Sequence, residues 1–229
     1  MKRAAPGGPA PPPASSPRAG GSVRVVLVRH APTEWNATGR AQGRADPPLD
    51  SPGRARAAAW RLPADLARRD RNGGLGWAAS PLRRARETAA LLGARDPQVV
   101  PALVERDYGS WTGWPLADLE SAALDDGWDV RPPGGESLRE VLGRARQWLD
   151  GLEPGAGPDA WVAVTHAGVI LALLAAALRW DLRPPAPVRL LPDRMHRLRR
   201  RNDGHLQLES LNELLTPDGE PGRPASGPP

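Results

Sequence analysis

The chain has 229 residues, 40% of them hydrophobic, which is enough for one sizeable domain core. Its formal net charge of +5 comes from arginine, with Lys2 the only lysine and 26 acidic residues against 31 basic ones, so the balance reads as a coding preference rather than a nucleic-acid surface. The absence of cysteine excludes disulfides, thiolate metal sites and a cysteine nucleophile.

Residues 1–21 carry Pro, Gly, Ala and Ser where an export signal needs a continuous apolar core, so they read as a disordered tail. Val23 to Val28 is a β-branched run that reads as a buried central strand. After a loop rich in Gly, Pro and Asp, Gly53 to Arg69 has apolar residues at helical spacing, with Pro63 placed to split it. Gly74 to Ser80 reads as a short strand leading into a helix from Pro81 to Leu92, stopped by Gly93. Gln98 to Leu103 reads as another short strand. The excursion from Glu105 to Pro133 holds Trp111, Trp114 and Trp128 and a helix near Leu116 to Leu124; such a detour builds a lid or pocket wall, and substrate specificity is expected there.

Ser137 faces Glu140 in a capping box that opens a helix to Leu149. Trp161 to Thr165 is a buried strand ending at His166, and Gly168 to Leu178 an apolar helix. The longest apolar run, Ala167 to Leu178, is too short for a bilayer core of about 30 Å. Cytoplasmic residence, with no membrane partner, is the expectation. Arg194 to Leu211 reads as a hairpin turning at Asn202-Asp203-Gly204, its basic run Arg197 to Arg201 lying on a solvated edge strand. Residues 216–229 form a second disordered tail, leaving one domain from 22 to 215. Alternating strands and helices predict a three-layer α/β/α fold with a mostly parallel central sheet and one antiparallel edge strand.

Three strands end in polar residues: Arg29-His30, Ser80 followed by Arg84, and Thr165-His166. The carboxyl ends of parallel strands share one sheet edge, where such folds bind ligands, and the helix N-termini at Pro81 and Gly168 favour anions. Arginine offers planar, permanently charged donors to phosphate, which suits Arg29 and Arg84. A histidine with a pKa near 6.5 can attack phosphorus without a strong base, which suits His30. His166, if protonated, would hold transition-state oxygens. Glu105 is the leading proton donor for the leaving group, with Asp107 and Glu34 as alternatives. His196 and His205 have no partner at ligand spacing, so no metal site and no cofactor is expected.

Five ordered segments carry a resemblance to the histidine phosphatase superfamily, the phosphoglycerate-mutase-like fold. Arg29-His30-Ala31-Pro32-Thr33-Glu34-Trp35-Asn36 resembles its opening signature, and Ser80 to Ala89 its Ser-x-Leu-x-Arg-Ala-x-x-Thr-Ala segment. Leu103 to Gly113 resembles the acid-donor segment, Pro133-Gly134-Gly135-Glu136-Ser137 a characteristic turn, and Val164 to Ile170 the second-histidine motif. The resemblance implies that His30 is phosphorylated, that Arg29, Arg84 and His166 form the phosphate pocket and that Glu105 donates the proton. It further implies that Asn36 adds a phosphate contact and that Gln42 and Gly43 line the substrate entrance. Ala31 and Ala167 stand where the family favours glycine, which would matter if either position needed positive φ.

The implied activity is metal-independent hydrolysis of a small phosphorylated metabolite, in the phosphatase branch that includes the alpha-ribazole phosphatase type. A phosphoglycerate-type mutase and a non-catalytic phospholigand-binding protein are the alternatives. The oligomeric state is left open.

Overall fold

Valines at 23, 25, 26 and 28 favour extended backbone, and β1 (Ser22–Arg29) forms there. The structure, a computed structural model, describes residues 21–122, 127–183 and 185–215. The expected tails, Gly21 apart, and the last turn of the helix expected to reach Leu124 lie outside these residues. After β1 come α1 (Glu34–Ala37), α2 (Ser51–Ala59), α3 (Ala64–Arg71), β2 (Leu75–Ala79), α4 (Arg83–Leu91), β3 (Gln98–Val99) and α5 (Leu116–Ala122). The order finishes with α6 (Leu138–Asp150), β4 (Ala160–Thr165), α7 (Ala167–Leu178), β5 (Arg194–Arg201) and β6 (Leu206–Leu214).

The helix expected from Gly53 to Arg69 is divided as Pro63 dictates. Trp60 and Pro63 are both extended, with ψ of 143° and 152°, and separate α2 from α3. Extended backbone at Leu82 likewise delays α4 to Arg83, beyond the expected start at Pro81. The strand expected from Gln98 to Leu103 is only two residues long, because Pro101 opens a 3₁₀ turn over Pro101–Leu103. The capping box at α6 forms as read: Ser137 Oγ accepts from Glu140 N–H at 3.3 Å, and Glu140 Oε2 accepts from Ser137 N–H at 2.8 Å.

Among the described residues six strands lie in the order β3-β2-β4-β1-β5-β6. β1 runs parallel to β4, which is parallel to β2, which is parallel to β3; β5 is antiparallel to both β1 and β6. The late strand that runs against the rest is therefore β5, and its hairpin partner β6 forms the edge. This overturns the solvated-edge reading of Arg197 to Arg201. Arg197 is held by Asp65 at 2.6 Å and Glu213 at 2.7 Å, and Arg200 is buried.

Strand alternation divides the core into two layers. Val23, Val25 and Leu27 face α6 and α7, whose Val141, Ala145, Ile170 and Leu173 are fully covered. Val26, Val28, Val162 and Val164 face the other layer, with Ala57, Leu66, Ala85 and Ala89 from α2, α3 and α4. Each fully buried aliphatic side chain contributes about 1.5–3 kcal/mol. This packing fixes the sheet edge on which the strand-terminal polar residues stand.

Candidate active site

Register alone brings the two histidines together. Arg29 pairs with Thr165 as β1 and β4 end side by side, so the next residues, His30 and His166, emerge as neighbours. Their ring centroids are 5.1 Å apart. Ser80 follows directly on β2, and its Oγ lies 2.7 Å from His166 Nε2.

The hydrogen bonds of His30 define its tautomer. Nδ1 lies 2.8 Å from the Ala31 carbonyl, which can only accept, so Nδ1 carries the proton. Arg84 Nε donates to His30 Nε2 at 3.3 Å, so Nε2 presents a lone pair. Burial, reinforced by the charges of Arg84 and Arg29, holds His30 well below the usual histidine pKa. His166 is also held well below it, by burial first and then by His30, Arg84, Arg29 and Arg144. Burial and the neighbouring positive charges thus oppose the protonated His166 considered from sequence. Its buried Nδ1 has no hydrogen-bond partner among the described residues.

Arg84 is fully buried at the start of α4. Its Nη1 donates to the Ala45 carbonyl at 2.6 Å and its Nη2 to the Gly43 carbonyl at 2.8 Å, while Asp46 lies 3.3 Å from Nη1. Thr88 staples this helix to the first histidine segment, accepting from Ala31 N–H at 3.0 Å and donating to the Arg84 carbonyl at 2.7 Å. Arg29, at the end of β1, makes no side-chain hydrogen bond or ion pair among the described residues and lines a cavity of about 540 Å³ with His30 and Asn36. The Asn36 Oδ1 is occupied by Thr33 N–H and Oγ1 at 3.0 and 3.1 Å, which leaves its amide N–H groups for a ligand.

Both helix N-termini proposed as anion sites already hold carboxylates. Asp46 accepts from Arg83 N–H at 2.6 Å at the start of α4. Glu105 accepts from Gly168 N–H at 3.1 Å at the start of α7, and from Arg106 N–H at 2.8 Å. Burial nevertheless raises the Glu105 pKa; those two N–H bonds and the charges of Arg84 and Arg29 oppose it. Gly168 leaves room for that carboxylate, since a Cβ there would stand 2.5 Å from Glu105 Oε1 and push it aside.

Gln42 and Gly43 do not line the cavity beside His30. Both are buried, with the Gly43 carbonyl on Arg84, a φ of +52° and Tyr108 packed against it. Among the described residues the loop from Arg106 to Pro133 contributes only Leu116 to that cavity; its other walls come from residues 29–37, 50–60 and 191–193. Ala31 is buried and has no positive φ, so alanine is unstrained there. Among the described residues no cluster of three or more His, Asp or Glu side chains could hold a metal ion.

Sequence reasoning missed Asp46 and Arg144. Arg144 donates to the carbonyls of Ala102, Val104 and Glu105 at 2.7, 2.6 and 3.2 Å, and to Glu136 Oε2 at 3.1 Å, fixing the acid segment against the Pro133–Ser137 turn. Its signal was a long cation beside the apolar stripe of α6. Asp46 gave no local signal, because its partners lie 37 and 38 residues away.

The sequence profile of the histidine phosphatase superfamily (branch 1) matches residues 25–214. The chain belongs to the histidine phosphatase superfamily. Among its relatives in the superfamily, phosphoserine phosphatase 1 of Hydrogenobacter thermophilus is 31% identical over 170 residues, 70% of this chain and 78% of that protein. The bifunctional protein Rv2228c of Mycobacterium tuberculosis is 34% identical over 69% of this chain, and the chain spans only 45% of that relative's length. A solved structure of mycobacterial glucosyl-3-phosphoglycerate phosphatase Rv2419c, complexed with VO3, is 29% identical with a TM-score of 0.67, covering 83% of this chain and 99% of that one. The described residues contain no helix long and apolar enough to cross a membrane.

Proposed function

We propose that the protein is a metal-independent phosphomonoesterase that works through a phosphohistidine at His30, within a catalytic domain of residues 22–215. The observation that carries this reading is the locked tautomer of His30: Nδ1–H is fixed by the Ala31 carbonyl, and the Nε2 lone pair stands beside Arg84. In the first step Nε2 forms a bond to phosphorus as the ester P–O bond breaks, and the departing oxygen takes a proton from Glu105. Arg29, Arg84 and the Asn36 amide would hold the phosphoryl oxygens, and an oxygen would supply the partner that His166 Nδ1 lacks. In the second step the Glu105 carboxylate accepts a proton from water as that water displaces His30, which releases phosphate and restores both groups.

The raised pKa of Glu105 suits an acid that must hold its proton until the leaving group needs it. Phosphatase relatives support hydrolysis over mutase chemistry, and an unprotonated His30 Nε2, held only by a 3.3 Å bond from Arg84 Nε, supports turnover over passive binding. Small phosphorylated metabolites are the substrate class proposed, in the cytoplasm, where their charge retains them. The relatives' phosphoserine and glucosyl-3-phosphoglycerate activities give the starting panel, with alpha-ribazole phosphate added on the resemblance of the Tyr108–Gly113 stretch. His30→Ala is expected to remove monoester turnover while leaving the far-UV spectrum intact; a folded variant with wild-type kcat would end the proposal.

A further inference from the structure

The cavity beside His30, about 540 Å³, falls within the roughly 300–1,000 Å³ of sites that enclose a whole organic ligand. Away from His30 its walls join the apolar Pro52, Trp60, Leu116, Leu191 and Pro192 to the charged Asp50, Arg56 and Asp193. Leu116 and Leu191 are 37% and 39% exposed, two of the five exposed large hydrophobics among the described residues. Leucines left in water at the lining of a pocket are stabilised when a ligand's apolar surface covers them.

This wall is fixed in place. Asn212 accepts from Leu191 N–H at 3.0 Å and donates through Nδ2 to the Arg189 carbonyl at 2.8 Å. The Asn212 N–H in turn donates to the buried His196 Nδ1 at 3.2 Å, and Leu116 N–H donates to the Gly39 carbonyl at 2.8 Å. A preformed wall spares the ligand the cost of ordering a loop.

The charges of the cavity point the same way. A dianionic phosphoryl group would engage Arg29 in the cavity and, beside His30, the buried Arg84. What remains is Arg56, 3.9 Å from Asp193, together with Asp50, whose Oδ1 accepts from Gly53 N–H at 2.6 Å. Two carboxylates against one guanidinium leave no cation for a second acidic group on the substrate.

Resting on the phosphatase reading above, we infer that the organic part of the substrate is an uncharged apolar or aromatic body seated against Trp60, Leu116 and Leu191, and that it bears no carboxylate. Leu116 and Leu191 are the residues that set this preference.

The test compares kcat/KM of the full chain for 2-phenylethyl phosphate, ethyl phosphate and phosphoserine, three esters with alkoxide leaving groups that make similar demands on the proton donor. The phenylethyl ester is expected to exceed each of the others by about tenfold or more, the scale on which apolar pockets discriminate. In Leu191→Asp the phenylethyl-to-ethyl ratio is expected to fall about tenfold. Preference for phosphoserine, or a ratio unmoved in both Leu191→Asp and Leu116→Asp, overturns the inference while leaving the phosphatase reading intact. Failure of the wild-type protein on all three esters and on p-nitrophenyl phosphate would strike that reading itself, and this inference with it.

Discussion

Replacing Gly168 by alanine perturbs the proposed acid without touching its carboxyl group. The new Cβ would stand 2.5 Å from Glu105 Oε1 and 3.3 Å from Arg106 Cβ, so the carboxylate must retreat by about 1 Å to reach ordinary contact. That retreat stretches the 3.1 Å bond from Gly168 N–H and moves the proton away from the ester oxygen. Loss of one hydrogen bond to a charged group costs about 1.5–3 kcal/mol, and alanine in the first turn of α7 returns about 0.5–1 kcal/mol. The net is a loss of about 0.5–2.5 kcal/mol, a fall in Tm of about 1–10 °C for a chain of this size. A misplacement of that order costs about 10²-fold in rate. The assay is steady-state kinetics on an alkyl phosphate and on p-nitrophenyl phosphate, whose phenolate departs without protonation. The alkyl ester should lose about 10²-fold in kcat and the nitrophenyl ester far less. Equal losses on the two esters, or none on the alkyl one, would refute the placement of Glu105 as proton donor.

Thr88→Val removes the hydroxyl that joins Ala31 N–H to the Arg84 carbonyl and leaves a buried donor unpaired, so urea denaturation should show a loss of about 1–3 kcal/mol. Burial lowers the pKa of His30, His166 and His196, the last from 6.5 to about 4, so the folded state resists taking up protons that the unfolded chain accepts. Stability from these groups is complete above 6.5 and is lost as pH falls below it, between 6.5 and about 4 for His196; a Tm flat across that window contradicts the assignment. Ala31→Gly should leave kcat unchanged, because Ala31 has no positive φ, and should lower stability by about 0.4–1 kcal/mol through the freer unfolded chain; a rise in kcat would show that the alanine restrains catalysis.

Much of this site was written in local pattern. The β-branched runs before Arg29-His30 and Thr165-His166 predicted buried parallel strands, and parallel pairing carries the strand-terminal residues to a common edge. The Ser137–Glu140 box and the break at Pro63 were equally local, because each rests on backbone chemistry within a few residues. The donor that meets His30 Nε2 was not legible, since it depends on Arg84 reaching back across 54 residues. Nor was the filling of both helix N-termini by Asp46 and Glu105, whose partners lie on other elements. The pocket wall was sought in the tryptophan-bearing loop. It lies instead largely in residues 50–60 and 191–193, which converge only once β5 and β6 have closed the sheet.

The central claim is that His30 Nε2 carries the phosphoryl group between substrate and water. Rapid quenching in alkali during turnover of a ³²P-labelled monoester preserves phosphohistidine, and peptide mass spectrometry then locates the modification. The account predicts label on the peptide containing His30, stable to alkali and lost in acid. Steady turnover with the label on another residue, or with no labelled protein at any quench time, would contradict it.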